Sequence, residues 1–374
     1  MSENRAQQGL YDRVVARDLC TACGACASLC PYIRSFEGRI VRLNQCDIEE
    51  GRCFAYCPRT EVDLEAIHEK LSGETYDQVE MGCFRRVFMA RSTDPGLRQR
   101  AQAGGVVSAL IRFALDEGFI DGAILTHRDE DHLPGGRDVR TGEEVLACAG
   151  SSYVAGPTLE ALNRREWKDS ERIGVVGTPC QVLALAKMKA SSLEQRTPVR
   201  QVGLVVGLFC TWAFRYGPFL EFLRSRTGAA GIGRLDISPP PERLLKVSTE
   251  NGTLEVPLDE VRPFIRPACR VCPDMTAELS DVSVGTVEGR MGWNTVVVRT
   301  DTGEEVVGRA EAVGILETRP LPGEDLAHLK EASLLKKRRA LKALEEKGEL
   351  NGGYLRLSPG LIKKILSGSS NEEA

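Results

Sequence analysis

The chain has 374 residues, of which 49 are basic and 53 acidic, with a formal net charge of −4 at pH 7. This balance of charge does not indicate a nucleic-acid-binding protein, and the length predicts two or three domains. It contains no run of about 18 apolar residues and no apolar signal segment near the N-terminus, so we expect a cytoplasmic protein without a membrane span. In that reducing compartment, thirteen cysteines indicate metal or redox chemistry rather than a disulfide framework.

A dense cysteine motif follows the polar N-terminus. The segment CTACGACASLCP has the C-x2-C-x2-C-x3-C-P spacing of bacterial ferredoxins. This spacing lets three thiolates reach one iron–sulfur cube, while Gly24 lets the backbone wrap closely. In two-cluster ferredoxins the last cysteine of each run crosses to the other cluster. The first cluster is therefore predicted to use Cys20, Cys23, Cys26 and Cys57.

A second, incomplete motif ends at Pro58 and leaves Cys30 to join Cys46 and Cys53. This set has three cysteines where a cube expects four. The deficit could be met by a three-iron cluster or by a nearby acidic or thiol side chain, namely Asp47, Glu49 or Cys83. Alternatively, this half is a structural remnant without a cluster. A helix and a linker then lead out of a ferredoxin-like module that we place at residues 1–82.

Two loops in the middle of the chain carry small residues before predicted helices. Gly104 and Gly105 precede the helix VVSALIRFALDEG, which leads to the strand AILT. Paired glycines at a helix N-terminus let backbone N–H groups approach an anion, although they are also common in turns. The second loop, residues 149–156, offers serine hydroxyls and the Tyr153 ring ahead of a helix that begins near Pro157.

Two buried strands each end at a cysteine: ERIGVVGTPC at Cys180 and VGLVVGLFC at Cys210. In an open parallel α/β sheet the carboxyl ends of the strands form one edge, where ligands bind. Both cysteines should therefore face one crevice, and the CRVC motif adds two more, Cys269 and Cys272. Four thiolates suit a cubane cluster or a tetrahedral zinc ion.

Cys180 also has an alternative role as a reactive thiol. Thr178 and Pro179 predict an N-cap and the first position of a helix. A cysteine on that first turn has its thiolate stabilised by the helix N-terminus. A nucleophile needs a general base, and His127 follows a comparable strand. The three partner cysteines favour ligation.

The remaining segments predict short elements and a helical end. An aromatic-rich helix is predicted after Cys210, and Asn251-Gly252 predicts a hairpin. The segment GWNTVVVRTDTGEEVVGRA predicts another hairpin, and from about Glu324 the chain is predicted to be helical. Its basic run LLKKRRALK is interpreted as a solvated helix face rather than a docking surface. The fold class is α/β, with an N-terminal module, a central α/β core at 83–322 and a helical tail at 323–374.

Six segments in this order resemble one known family: AGGVVSALIRFALDEGFIDGAILT, AGSSYVAGPTLEAL, GVVGTPCQVLALAKM, VVGLFCTWAF, CRVCPDMTAELSDVSVG and GWNTVVVRT. The chain resembles the coenzyme F420 hydrogenase/dehydrogenase beta-subunit family from about residue 85 to 316, and a ferredoxin-like module is a common attachment there. The resemblance implies FAD, 4Fe-4S clusters, and cluster ligation by the four cysteines at 180, 210, 269 and 272. The implied flavin contacts are Gly104, Gly105, Ser108, Ser152, Tyr153, Thr178 and Gln181.

Two departures from the family pattern accompany the resemblance. Thr286 stands where members often have an acidic residue, and the second ferredoxin run lacks one cysteine. The first departure bears on whether flavin or substrate contacts of the family apply near residues 283–292. The second bears on the number of clusters. No catalytic residue is identified.

The function predicted from these observations is an iron–sulfur flavoprotein oxidoreductase with FAD and two or three 4Fe-4S clusters. It would pass electrons between a two-electron carrier, coenzyme F420, and one-electron partners. NAD(P)H or ferredoxin are alternative carriers, although no G-x-G-x-x-G fingerprint follows a predicted strand. The rival hypotheses are a relay subunit of a larger hydrogenase, formate dehydrogenase or heterodisulfide-reductase-like complex, and a zinc-bound structural protein. Other redox subunits are expected partners.

Overall fold

The structure is a computed structural model that describes residues 4–164, 166–238, 242–350 and 352–367. Strands and helices alternate through the middle of the chain, so the predicted α/β class is confirmed. The strands are β1 (Ile33–Phe36), β2 (Arg39–Arg42), β3 (Val62–Asp63), β4 (Arg86–Ser92), β5 (Gly122–Arg128), β6 (Pro134–Val139), β7 (Ile173–Gly177), β8 (Val202–Leu208), β9 (Leu235–Ile237), β10 (Leu244–Thr249), β11 (Gly252–Pro257), β12 (Val282–Thr286), β13 (Asn294–Val298), β14 (Leu316–Pro320) and β15 (Leu355–Arg356). The α-helices are α1 (Gln7–Leu10), α2 (Arg52–Ala55), α3 (Leu64–Ser72), α4 (Pro95–Arg100), α5 (Val106–Asp116), α6 (Gly142–Ala147), α7 (Thr158–Arg164), α8 (Pro179–Ala190), α9 (Tyr216–Thr227), α10 (Leu258–Val261), α11 (Pro267–Arg270), α12 (Asp301–Ala312), α13 (Gly323–Glu345) and α14 (Pro359–Ser367).

The central sheet has the strand order β14-β4-β13-β12-β8-β7-β5-β6. The four strands β12, β8, β7 and β5 are mutually parallel, and antiparallel strands complete both edges. The segment IGVVG of β7 is buried throughout and VGLVVGL of β8 nearly so, as strands covered on both faces should be. Helices α5 and α12 contribute to the core on one side, and α7 and α8 to the core on the other.

The two ends of the chain share one core. Cys26 and Phe54 of the N-terminal segment belong to the same buried cluster as Leu341 of α13 and Leu361 of α14. Strand β15 pairs in parallel with β3, which adds backbone hydrogen bonds to this contact. Cys23 and Tyr56 also share a buried cluster with residues of β7 and β8, so the N-terminal segment lies between the central sheet and the C-terminal helices.

The second predicted hairpin is wrong, whereas the first is confirmed. Strands β10 and β11 pair as an antiparallel hairpin around Asn251-Gly252. In the later segment only β13 is a strand, and the chain then forms helix α12. The Thr300 side chain accepts a hydrogen bond from Gly303 N at 3.2 Å, which caps the helix. A Cβ on Gly303 would lie 2.2 Å from the carbonyl oxygen of Asp281, so this glycine permits close packing rather than a turn.

Helix α13 is not a freely solvated element. Lys336 and Lys337 are only 5% and 2% exposed, so the interpretation of their basic run as a solvated face is wrong for these two residues. Lys337 forms a buried ion pair with Glu278, and Tyr76 donates a hydrogen bond to the same carboxylate. No helix within the described ranges is long and apolar enough to cross a membrane.

Candidate functional site

A cavity of about 1320 Å³ opens at the carboxyl ends of the parallel strands. Val176, Leu208 and Val284, from β7, β8 and β12, form its sheet wall. Its position is the edge at which open parallel sheets bind ligands. It exceeds the roughly 300–1,000 Å³ of ordinary small-molecule pockets, so it has room for a dinucleotide-sized ligand.

Six of the seven predicted flavin-contact residues line this cavity, and the seventh does not. A Cβ on Gly104 would lie 2.8 Å from Asn294 Oδ1 and 2.9 Å from the carbonyl oxygen of Ala90, so this glycine serves packing against the sheet. Asn294 also accepts a hydrogen bond from Val106 N at the start of α5. The six lining residues are Gly105, Ser108, Ser152, Tyr153, Thr178 and Gln181.

Gln181 uses its amide within the protein. Its Nε2 donates to the carbonyl oxygen of Gly156 at 3.0 Å and to Thr158 Oγ1 at 2.9 Å, and its Oε1 accepts from Thr178 N at 2.8 Å. The prediction that Thr178 is the N-cap of a helix is confirmed, because Thr178 and Gln181 form a capping box at the start of α8. Gln181 therefore positions the 149–156 loop against the strand end, and a direct ligand contact stays a prediction.

Tyr153 is held by its hydroxyl group. The hydroxyl oxygen accepts a hydrogen bond from Ile237 N at 3.1 Å, and Gln102 donates to it as well. Burial raises the pKa of this phenol above its ordinary value. The residue has φ of 54°, an uncommon conformation for a non-glycine residue. These contacts fix the ring at the cavity wall.

Four thiols from three separate segments meet at the inner wall of the cavity. The Cys180 thiol interacts electrostatically with Cys272, and the Cys210 thiol with Cys180, Cys269 and Cys272. All four residues line the cavity. We call Cys180, Cys210, Cys269 and Cys272 the cavity set.

Two buried cations lie beside the cavity set. Lys336 Nζ donates to the carbonyl oxygen of Cys210 at 2.5 Å, and the Arg59 guanidinium interacts with Cys180 and Cys272. Burial acts to raise the pKa of the Cys272 thiol, but Lys336 and Arg59 outweigh it and the pKa lies below its ordinary value. The two cations therefore favour a thiolate at Cys272, whereas burial raises the pKa of the other three thiols above their ordinary values.

The role of Cys180 as a nucleophile finds little support. Burial and the neighbouring Cys272 raise the pKa of the Cys180 thiol above its ordinary value. Within strand β5, Leu125, Thr126 and Arg128 line the cavity but His127 does not. The candidate general base is thus not part of the cavity wall.

A second group of thiols lies in the N-terminal segment. Cys23 interacts electrostatically with Cys20 and Cys57, and Cys26 with Cys20, Cys23 and Cys57. Gly24, with φ of 87°, approaches the start of α7 so closely that a Cβ would lie 2.6 Å from the carbonyl oxygen of Pro157. We call Cys20, Cys23, Cys26 and Cys57 the N-terminal set.

A third group contains the incomplete motif. Cys53 interacts electrostatically with Cys30 and Cys46. Burial, and to a smaller extent these two thiols, raise the pKa of Cys53 to about 12. Cys83 contacts the carbonyl oxygen of Thr75 and a carboxylate oxygen of Asp77 instead of this group. Cys83 therefore does not supply the fourth ligand that this group lacks. Asp47 and Glu49 are exposed. We call Cys30, Cys46 and Cys53 the outer set.

The three sets follow one another in space. Cys23 of the N-terminal set interacts with Cys180 of the cavity set, and Cys26 interacts with Cys53 of the outer set. Among the described residues, no three His, Cys, Asp or Glu side chains could hold a single metal ion.

Three functional candidates were missed in the sequence. Arg59 and Lys336 reach the cavity set through long-range packing, and no local pattern marks either of them. Arg128 had a usable signal, because period-two alternation along AILTHR places Thr126 and Arg128 on one face. Its Nη1 atom is buried at the cavity without a hydrogen-bond partner.

Two family models match this chain, and both describe the beta subunit of coenzyme F420 hydrogenase/dehydrogenase. The model of the N-terminal part of that subunit matches residues 87–163, and the model of its C-terminal part matches residues 170–324.

Two relatives and one solved structure extend these matches. The coenzyme F420 hydrogenase subunit beta of Methanothermobacter thermautotrophicus is 32% identical over 279 residues, which cover 72% of this chain and 97% of that protein. The coenzyme F420-dependent sulfite reductase of Methanocaldococcus jannaschii is 30% identical over 91% of this chain, which spans 52% of that protein. A chain of the xenon-derivatised F420-reducing nickel–iron hydrogenase complex from Methanosarcina barkeri has a TM-score of 0.65 and 32% identity, with 75% of this chain and 98% of that chain covered.

Proposed function

Because the chain belongs to the coenzyme F420 hydrogenase/dehydrogenase beta-subunit family, we propose that it is an iron–sulfur flavoprotein oxidoreductase. It passes electrons between a two-electron carrier, a coenzyme F420-type deazaflavin, and one-electron partners. One observation carries this proposal: a single large cavity is lined both by six predicted flavin-contact residues and by the cavity set. The names of the relatives support the deazaflavin as the carrier.

The residues around the cavity suit FAD. Gly105, Ser108 and Ser152 offer a backbone approach and small hydroxyl groups, and the Tyr153 ring is fixed beside them. The unpartnered Nη1 of Arg128 offers a charged donor to an anionic group. When bound, FAD supplies the exchange between hydride transfer and single-electron transfer.

The cysteine sets suit four-iron clusters, with two or three in total. The cavity set and the N-terminal set each supply four thiols, whereas the outer set supplies three. Lys336 and Arg59 stabilise negative charge on the cavity set. Cys30 and Cys46 are partly exposed, so the outer set lies where electrons could be exchanged with another redox subunit.

The test is an anaerobic preparation assayed together for flavin, iron and sulfide. About twelve irons per FAD would indicate three four-iron clusters, and about eight would indicate that the outer set is empty. Spectra recorded with reduced coenzyme F420, NADH, NADPH and reduced ferredoxin, added separately, identify the carrier. Bleaching of the flavin by the deazaflavin alone is expected, and a preparation without flavin would refute the proposal.

A pair of variants tests the assignment of the cavity set. Cys210→Ser should lose about four irons per chain and keep the irons of the N-terminal set. Cys83→Ser is the matched control, because Cys83 contacts Thr75 and Asp77 instead of the cysteine sets. Equal iron content in the two variants would remove Cys210 from the cluster.

A relay subunit without its own carrier site is the second candidate. The serial arrangement of the three sets favours it, as does the likeness to one chain of a hydrogenase complex. This candidate predicts stoichiometric iron and sulfide with no flavin. The same combined assay therefore separates the two functions.

A further inference from the structure

Arg128 ends strand β5 and has a guanidinium group that the rest of the protein leaves incompletely paired. Its Nη1 is buried without a hydrogen-bond partner, and the side chain lines the cavity. Among the residues that the structure describes, no carboxylate forms an ion pair with it. A buried charged donor without a partner costs free energy, so its retention at a cavity wall points to a ligand.

The charged groups around Arg128 do not neutralise its positive charge. Burial lowers the pKa of the Arg128 guanidinium, and the nearby positive charge of Arg234 lowers it further. Arg234 itself donates to the backbone carbonyl oxygen of Ala101 at 2.7 Å. The neighbouring carboxylates are engaged elsewhere, since Asp129 Oδ1 accepts from Leu133 N and Asp236 Oδ1 from Gln102 Nε2. This end of the cavity therefore favours an anion.

The loop that carries predicted flavin contacts passes directly over this guanidinium. Gly150, with φ of 107°, approaches Arg128 so that a Cβ on the glycine would lie 3.5 Å from Nη2. Ser152 and Tyr153 follow in the same loop and line the same cavity. The guanidinium and the predicted flavin contacts thus belong to one continuous wall.

We propose that Arg128, in the positive field shared with Arg234, binds a phosphoryl group of the ligand that occupies the cavity. A planar guanidinium can donate two parallel hydrogen bonds to phosphoryl oxygens, which gives it both affinity and orientation. The group is either the diphosphate of FAD or the phosphate in the tail of the carrier. This inference rests on the proposed function and adds the residue that recognises the anionic part of the ligand.

The experiment compares ligands with and without phosphate on the full chain. Equilibrium binding of FAD and riboflavin is measured by fluorescence, and steady-state kinetics compare coenzyme F420 with its deazaflavin core lacking the tail. Arg128→Gln removes the charge, and Arg128→Lys keeps the charge without the planar fork. Arg309→Gln is the matched control, because Arg309 does not line the cavity and pairs with Glu117 at 2.9 Å.

Two results support the inference and separate its two sources. If the group belongs to FAD, Arg128→Gln weakens FAD about 10- to 100-fold and leaves riboflavin unchanged. If it belongs to the carrier, flavin binding is kept while KM for coenzyme F420 rises by a similar factor and the tail-less core is unaffected. Arg128→Lys should recover part of either loss.

Unchanged binding of both flavins together with an unchanged KM for both deazaflavins, or an equal loss for the forms with and without phosphate, would overturn the inference. A wild-type chain that binds no flavin would instead refute the proposed function. Inorganic pyrophosphate titrated into the flavin-free chain then decides the inference independently. Tighter binding to wild type than to Arg128→Gln supports it, and equal affinity overturns it.

Discussion

Replacing Lys336 by methionine should lower the reduction potential of a cluster held by the cavity set. Lys336 is 5% exposed, and its Nζ donates to the carbonyl oxygens of Cys210 at 2.5 Å and of Asp274 at 2.7 Å. Its ammonium group also interacts electrostatically with Cys272. A nearby positive charge stabilises the reduced, more negative cluster, so its removal favours the oxidised form.

The size of the effect follows from the charge and its surroundings. Two unit charges about 7 Å apart at an effective dielectric constant of about 20 interact by roughly 2.4 kcal/mol. For a one-electron couple, about 59 mV corresponds to a tenfold change in equilibrium constant, so the expected fall is on the order of 100 mV. Methionine keeps the length and apolar stem of lysine, which limits the loss of packing.

The assay is a potentiometric titration followed by electron paramagnetic resonance on the anaerobic protein. Lys336→Arg should keep a potential near that of the wild type because the positive charge is retained. Lys342→Met, an exposed position on the same helix, controls for changes to α13 in general. If Lys336→Met keeps its cluster and its potential stays within about 20 mV of wild type, the electrostatic reasoning is refuted.

Two further substitutions test the packing that holds the sets. Gly24→Ala places a Cβ 2.6 Å from the carbonyl oxygen of Pro157 in a residue with φ of 87°. We therefore expect the free energy of unfolding to fall by about 1–3 kcal/mol from strain alone, and the iron content to fall as well. Thermal melting and an iron assay check this, and an unchanged melting temperature would contradict it. Glu278→Gln leaves the buried Lys337 without its charged partner and should cost about 3–5 kcal/mol in urea unfolding. The double variant Glu278→Leu with Lys337→Met should restore much of that loss, and its failure to do so would show that the hydrogen bonds matter more than the charges.

Local patterns predicted much of the architecture. The α/β class follows from buried, strand-like segments that alternate with helical ones. The capped start of α8 follows from Thr178 and Pro179. Both could be predicted because strand burial and helix capping are decided by neighbouring residues. The Asn251-Gly252 hairpin is local in the same way. The hairpin predicted for GWNTVVVRTDTGEEVVGRA is wrong, because its second half forms helix α12, which Thr300 caps and which packs closely against Asp281 at Gly303.

The site depends on both local and distant information. The cysteine spacing indicated three groups of thiols, because ligands of one cluster in a ferredoxin motif are close in sequence. The order of these groups in space, with Cys23 beside Cys180 and Cys26 beside Cys53, required the N-terminal segment to be packed against the sheet. Which residues hold which cofactor stays a prediction.

The sequence by itself determined the fold class, the family and the cysteine spacing, since each is written in short segments. Only the tertiary structure decided that Lys336 is buried beside the cavity set, that Cys83 lies away from the outer set, and that Arg128 Nη1 lacks a partner at the cavity wall. The physical reason is that burial and charge compensation depend on residues far apart along the chain. Lys336 and Cys210, for example, are separated by 126 positions but joined by a hydrogen bond.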